Sequence, residues 1–246
     1  EQFYHPTAAA NSPPNPSPRP VHERPAMKHD DAIAAALANR SFVYTYLWRA
    51  FAAEPDEAFL SAVADDAILE ECKLLAGEDS RAVQVQEALA AFVSNVPDAP
   101  DALKGEYTKL FEGPGKLPAP PWESVYVCGE DLLFQPSTLE VREAYRSAGY
   151  QATGYPHEAD DHLATELDFM GALSKRTQAA YEEGDEDAFR LLISKQVYFL
   201  GAPLNSWLPQ YTERLLGAEK PKVSDFYRHF SVLAQELCVA DSAALE

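Results

Sequence analysis

Between His157 and Met170 the chain reads HEADDHLATELDFM, its densest set of potential ligands and acids. If this stretch is helical from about Glu158, then His162, Glu166, Phe169 and Leu173 share one side, continuous with a stripe of Leu163, Leu167 and Met170. An imidazole and a carboxylate one turn apart on the margin of an apolar stripe are at least partly desolvated. Three chemistries fit. Glu158, Asp160 and Asp161 would stabilise the positive end of a helix while His162 pairs with Glu166. His162 and Glu166, with Asp161 nearby, could ligate one metal ion and serve a metal-dependent hydrolase. Or the carboxylates receive a basic partner beside an apolar groove. The metal reading needs more ligands, and the distant histidines do not supply them. His5, His22 and His29 lie in or beside the N-terminal segment, and His229 stands alone.

A second informative stretch runs from Phe111 to Thr138, EGPGKLPAPPWESVYVCGEDLLFQPS between them. Connections longer than about 12–15 residues without structure of their own are uncommon inside compact domains and tend to be functional. Pro114, Pro118, Pro120, Pro121 and Pro136 stiffen it, and Trp122, Tyr126 and Phe134 give it aromatic anchors. Those rings either plug a gap between two helical halves or form the rigid wall of a peptide groove, and a loop can do both. Catalytic signatures are thin. GxSxG, P-loop and GxGxxG patterns are absent, and Gly113-Pro114-Gly115 lacks a donor that a phosphate cradle needs. Ser124 and Cys128 have no activating context. No catalytic residue, metal or cofactor is assigned, and the expected protein is not an enzyme.

The elements that position these residues read as helices almost throughout. Asp30 or Asp31 caps a helix to about Ala53; a second opens at Pro55 and ends at Gly77. A third starts near Asp79, and a fourth, from about Asp98, carries Leu103, Tyr107, Leu110 and Phe111. Beyond the loop, Ser137-Thr138 caps a short helix ending at Gly149. Helices follow over about Glu158 to Glu183, Asp185 to Leu200, Pro203 to Leu216 and Val223 to Val239. Val125, Tyr126 and Val127 are the nearest approach to a strand. The expected class is all-α, a single domain over 28–241 of about nine helices. Its halves, 29–111 and 138–240, are joined by a hinge over 112–137. The proline-rich 1–27 reads as a disordered or polyproline-like tail with no signal-peptide apolar core, and Met27 is an alternative start.

Charge narrows the partners. Lys+Arg number 20 against 39 Asp+Glu among 246 residues, a formal charge of −19. That field repels phosphate backbones and anionic lipid, which argues against nucleic acid and favours basic partners. No run approaches the roughly 18 apolar residues of a membrane span. The three cysteines, widely spaced and without a CxxC pair, suit a reducing, cytoplasmic setting.

Three blocks together resemble the TorD/DmsD/NarJ family of cytoplasmic molybdoenzyme chaperones. They are Tyr107-Thr-Lys-Leu-Phe111 followed by Gly-Pro-Gly; Pro118-Ala-Pro-Pro-Trp-Glu-Ser-Val-Tyr126 with Leu133-Phe134 and Ser137-Thr138-Leu139; and Glu158-Ala-Asp-Asp-His-Leu163 with Glu166-Leu167 and Phe169-Met170. Ala159 and Gln135-Pro136 depart from the family's usual Pro and Gly. The resemblance implies an all-α chaperone that binds the twin-arginine leader of a molybdopterin oxidoreductase precursor, with the mature part of that precursor as a further partner. Such a chaperone holds the precursor from export until the cofactor is inserted. Leu110, Phe111, Pro121, Trp122 and Tyr126 would then contact the apolar stretch of the leader, with Phe51 a further wall candidate. Asp161, helped by Glu158, would receive an arginine beside His162 and Glu166. The long hinge makes a domain-swapped homodimer plausible. A permanent structural subunit of a reductase complex is the remaining alternative.

Overall fold

The computed structural model describes residues 30–96, 99–129, 132–153, 159–219 and 223–245. The segment 1–27 and Glu158 lie outside them. Among the described residues the chain is all-α, with an isolated antiparallel bridge between Trp122 and His162 in place of any strand. None of these helices is long and apolar enough to cross a membrane.

Short polar side chains open the N-terminal helices. Asp30 accepts from the Ala32 amide at the start of α1 (Asp31–Ala52), and Asp56 from Phe59 at α2 (Glu57–Val63). Asp65 does the same at α3 (Asp66–Ala76) and Ser80 at α4 (Arg81–Asn95). The single helix expected from Pro55 to Gly77 is therefore two, because Asp65 caps a new start just after Ala64. Gly77 does end the second, at a φ of 89° that favours glycine. α5 (Ala99–Tyr107) widens into a π-type turn over Thr108–Glu112, closed by the Gly113 amide on the Thr108 carbonyl at 2.8 Å. Wide turns of this kind concentrate at functional sites, and this one carries Leu110 and Phe111.

The described residues between Phe111 and Thr138 include helical turns. Val125, Tyr126 and Val127 lie in a helical turn, α6 (Glu123–Val127), and no strand among the described residues pairs their backbone. α7 (Pro136–Ser147) starts on Pro136, and Ser137 and Thr138 are buried in its first turn instead of capping it. α8 (Leu163–Glu183) starts at His162, later than the expected Glu158. α9 (Glu186–Phe199) continues through a second π-type turn over Leu200–Leu204 directly into α10 (Asn205–Leu216). The wide turn accommodates Pro203, which lacks a donor, so Gly201 does not separate two helices. α11 (Asp225–Leu245) closes the order and runs past Val239.

α1 lies along α8 in the most extensive helix contact, and α11 packs on α4, α10 and α3. Buried side chains form a continuous cluster from Val43 on α1 to Cys238 on α11. The described parts of 30–111 and 138–240 thus share one core, and α6 is seated on α7 and α10. A buried polar network pins α1, α8, α9 and α11 together. Arg40 pairs with Asp241, whose Oδ2 also accepts from Tyr44 at 2.6 Å, and Arg40 donates to Gln196 at 2.7 Å. Gln196 in turn donates to Thr177 at 2.7 Å.

Candidate peptide-binding site

The Trp122–His162 bridge fastens the segment before α6 to the start of α8. The Leu163 amide donates to the Pro121 carbonyl at 2.9 Å, and the Glu123 amide to the Asp161 carbonyl at 3.0 Å. The Trp122 and His162 rings meet edge to face at 5.0 Å. His162 caps α8, its Nδ1 accepting from the Ala164 amide at 3.1 Å. Accepting there requires an unprotonated Nδ1, and burial holds the imidazole down at about 4, so His162 is neutral at physiological pH.

Behind the bridge lies a knot of carboxylates. Asp161 is 0% exposed, and its Oδ2 accepts from the Ser124 amide at 2.8 Å. Glu166, also 0% exposed, accepts from Trp207 Nε1 at 3.1 Å and lies close enough to the buried Glu123 carboxyl to feel its charge. Burial, then the negative charge of Asp161, pushes Glu123 up to about 7. Burial, then Glu123 and Asp161, raises Glu166 well above the ordinary carboxyl range. The knot therefore retains protons at pH values where exposed carboxylates have lost theirs. The pairing of His162 with Glu166 expected from the helix-start reading does not form; each acid ties the start of α8 to a different element. Asp160 completes the pattern, accepting from Arg142 of α7 at 2.6 Å. Among the described residues no three His, Cys, Asp or Glu are placed to hold a metal ion.

In front of the bridge is an open cleft of about 460 Å³. α1 contributes Trp48 and Phe51, and the end of α5 with its π-type turn contributes Tyr107 and Phe111. Trp122 and His162 supply the opposite wall, and Tyr150 and Asp168 line it as well. Phe51 and Phe111 pack edge to face at 6.0 Å, and the Tyr107 hydroxyl donates to the Phe51 carbonyl at 3.1 Å, which sets the rings as a rigid floor. Tyr150 donates to Asp168 Oδ2 at 2.6 Å. Among the described residues lining the cleft, Asp168 is the acid and no Lys or Arg is present.

Phe111, Trp122 and His162 of the sequence candidates line this cleft, with Phe51. Leu110 and Pro121 are buried beside it, and the Asp161 and Glu166 side chains lie behind its wall. Tyr126 stacks on Trp207 at 5.5 Å, with the Arg214 guanidinium 5.8 Å above its ring. Trp48, Tyr107, Tyr150 and Asp168 were not among the candidates. The spacing of Trp48 and Phe51, three apart on α1, was a readable signal, as was that of Tyr107 and Phe111 four apart. Nothing in the sequence joins Tyr150 to Asp168.

A family model, the nitrate reductase delta subunit, matches residues 77–213 of this chain. The chain is 31% identical over 176 residues to a protein named chaperone protein TorD from Vibrio parahaemolyticus, spanning 69% of this chain and 77% of that one. It is 28% identical over 212 residues to a chaperone protein TorD of Shewanella sp. strain ANA-3, 84% of this chain and 94% of that one. A Tat proofreading chaperone DmsD from Salmonella typhimurium is 39% identical over 67 residues, 27% of this chain and a 33% share of its own length.

Proposed function

The chain belongs to the nitrate reductase delta subunit family, the TorD/DmsD/NarJ group, and on that premise we propose that it is a redox-enzyme maturation chaperone. It binds the twin-arginine leader of a molybdopterin-dependent oxidoreductase precursor in the aromatic cleft and holds the precursor from export until its cofactor is inserted. It acts in the cytoplasm and does no covalent chemistry.

The observation that carries this reading is the composition of the cleft. Its volume of about 460 Å³ falls in the range of ligand sites, its floor is four aromatic rings, and its described lining carries Asp168 with no Lys or Arg. A twin-arginine leader is a basic pair followed by an apolar stretch of about 7–15 residues. The half-buried rings of Trp48 and Trp122 take the apolar stretch over a floor of Phe51, Tyr107 and Phe111, and the acidic end takes the basic pair. Leu110, Pro121, Tyr126, Asp161 and Glu166 shape the wall from behind. The surrounding charge of −19 speeds encounter with a basic leader. The relatives' names as TorD chaperones and as a Tat proofreading chaperone point the same way. The hinge also offers a route to a domain-swapped dimer, in which the Trp122–His162 bridge forms between copies.

The test is a calorimetric titration of the whole chain with a synthetic Arg-Arg peptide carrying an apolar stretch of about 12 residues. Saturable one-to-one binding, weakened at least about tenfold by Trp122→Ala, is the expected result, since a buried aromatic anchor is worth about 2 kcal/mol or more. Absence of binding by the folded protein at tens of micromolar peptide refutes leader binding.

A further inference from the structure

We infer that Asp168, oriented by Tyr150, is the receptor for the guanidinium of the bound leader, while Asp161 is a structural residue of the wall. The inference rests on the leader-binding reading above and names the group within that cleft which selects arginine.

Four observations carry it. Asp161, the sequence candidate for this role, is wholly buried and has its Oδ2 engaged by the Ser124 amide at 2.8 Å. A ligand in the cleft meets the Trp122–His162 bridge before it meets that carboxylate. Asp168, by contrast, lines the cleft itself and is half-buried. Its Oδ2 takes one hydrogen bond from Tyr150 at 2.6 Å, which fixes the carboxylate plane and leaves Oδ1 to accept. Burial and the bond to Asp168 raise the Tyr150 phenol, so it stays a donor throughout the physiological range.

The third observation concerns counter-charge among the described residues. No Lys or Arg among the described residues pairs with Asp168, and residues 154–158, which follow Thr153 of the cleft, contain neither residue type. His162 in the same cleft is neutral and adds no positive charge. A half-desolvated carboxylate without a counter-ion gains most from one delivered by a ligand. The fourth is the company it keeps. Half-buried Trp48 and Trp122 share the cleft, and an indole face stacks on a planar guanidinium better than on an ammonium. Carboxylate and indole together select Arg over Lys.

The experiment is a double-mutant cycle by calorimetry on the whole chain. The probe is the synthetic Arg-Arg leader, paired with a copy in which both arginines are citrulline, uncharged and nearly the same shape. Asp168→Asn is expected to weaken the Arg-Arg peptide about tenfold or more, as for a lost charge-assisted bond, and to leave the citrulline peptide within about twofold. Tyr150→Phe should give a smaller loss in the same direction, and a thermal melt checks that each variant is folded. Wild-type binding that survives Asp168→Asn unchanged, or that does not distinguish arginine from citrulline, overturns the inference and leaves the chaperone reading standing. No binding by the wild-type chain overturns that reading, and the inference falls with it.

Discussion

Replacing Glu123 by Gln should make the protein more stable in mild alkali than the wild type, and should leave it nearly unchanged in mild acid. Glu123 follows Trp122 directly, so the substitution sits immediately behind the wall of the cleft. Its carboxyl is 5% exposed and faces Asp161 and Glu166, and burial and the Asp161 charge raise it from 4.5 to about 7. The folded state therefore binds a proton that the unfolded chain has released, and stability falls as pH rises. The contribution is fully present below about 4.5 and is lost as pH passes through about 7. A rise of that size corresponds to on the order of 3 kcal/mol at 1.36 kcal/mol per pH unit. Glu166 shifts in the same direction and adds to the slope. The side-chain amide introduced by Glu123→Gln keeps the shape, cannot ionise, and can donate to Glu166. Urea unfolding, followed by circular dichroism at fixed ionic strength from about pH 5 to about pH 8.5, gives the two stability curves. Their difference cancels the general self-repulsion of a chain with charge −19. It should grow in favour of Glu123→Gln by about 2–3 kcal/mol across that range. Two parallel curves, or a wild type that gains stability relative to the variant as pH rises, would refute the buried-proton account.

Leader affinity should fall as salt is raised and then level off, because screening removes the long-range attraction but not the contact with the rings; calorimetry at two or more ionic strengths reads the plateau. Asp241→Ala should cost about 3–5 kcal/mol in urea unfolding, since it strands the buried Arg40 guanidinium, and adding Arg40→Met should recover part of the loss. Among the cysteines, Cys128 at the end of α6 should react first with a thiol reagent in the folded protein. Cys72 is buried with its thiol pushed up to about 12, and Cys238 is buried and raised further. Early reaction of all three at one rate would show the core opening faster than the assay.

The sequence by itself determined the class and the identity of the helices wherever the signal was local. A carboxylate or hydroxyl at the cap, an apolar repeat and a glycine stop lie within a few residues of each other, and the chain obeys them at α1, α4 and the end of α8. It also identified the motif blocks of the family. Local rules failed where a distant partner competed. Asp160, Asp161 and Glu166 look like helix-start chemistry, but Arg142, Ser124 and Trp207 claim them, which moves the start of α8 to His162. The same long-range contacts decided which candidate residues a ligand can meet. Asp161 and His162 are neighbours in sequence, yet the bridge to Trp122 turns one into the wall and leaves the other facing the cleft. Residues as far apart as Trp48, Phe111 and Asp168 become one surface only because α1 packs along α8. Periodicity reports which face of an element is apolar, whereas a binding site is defined by which faces meet, and that depends on packing between elements that share no local signal.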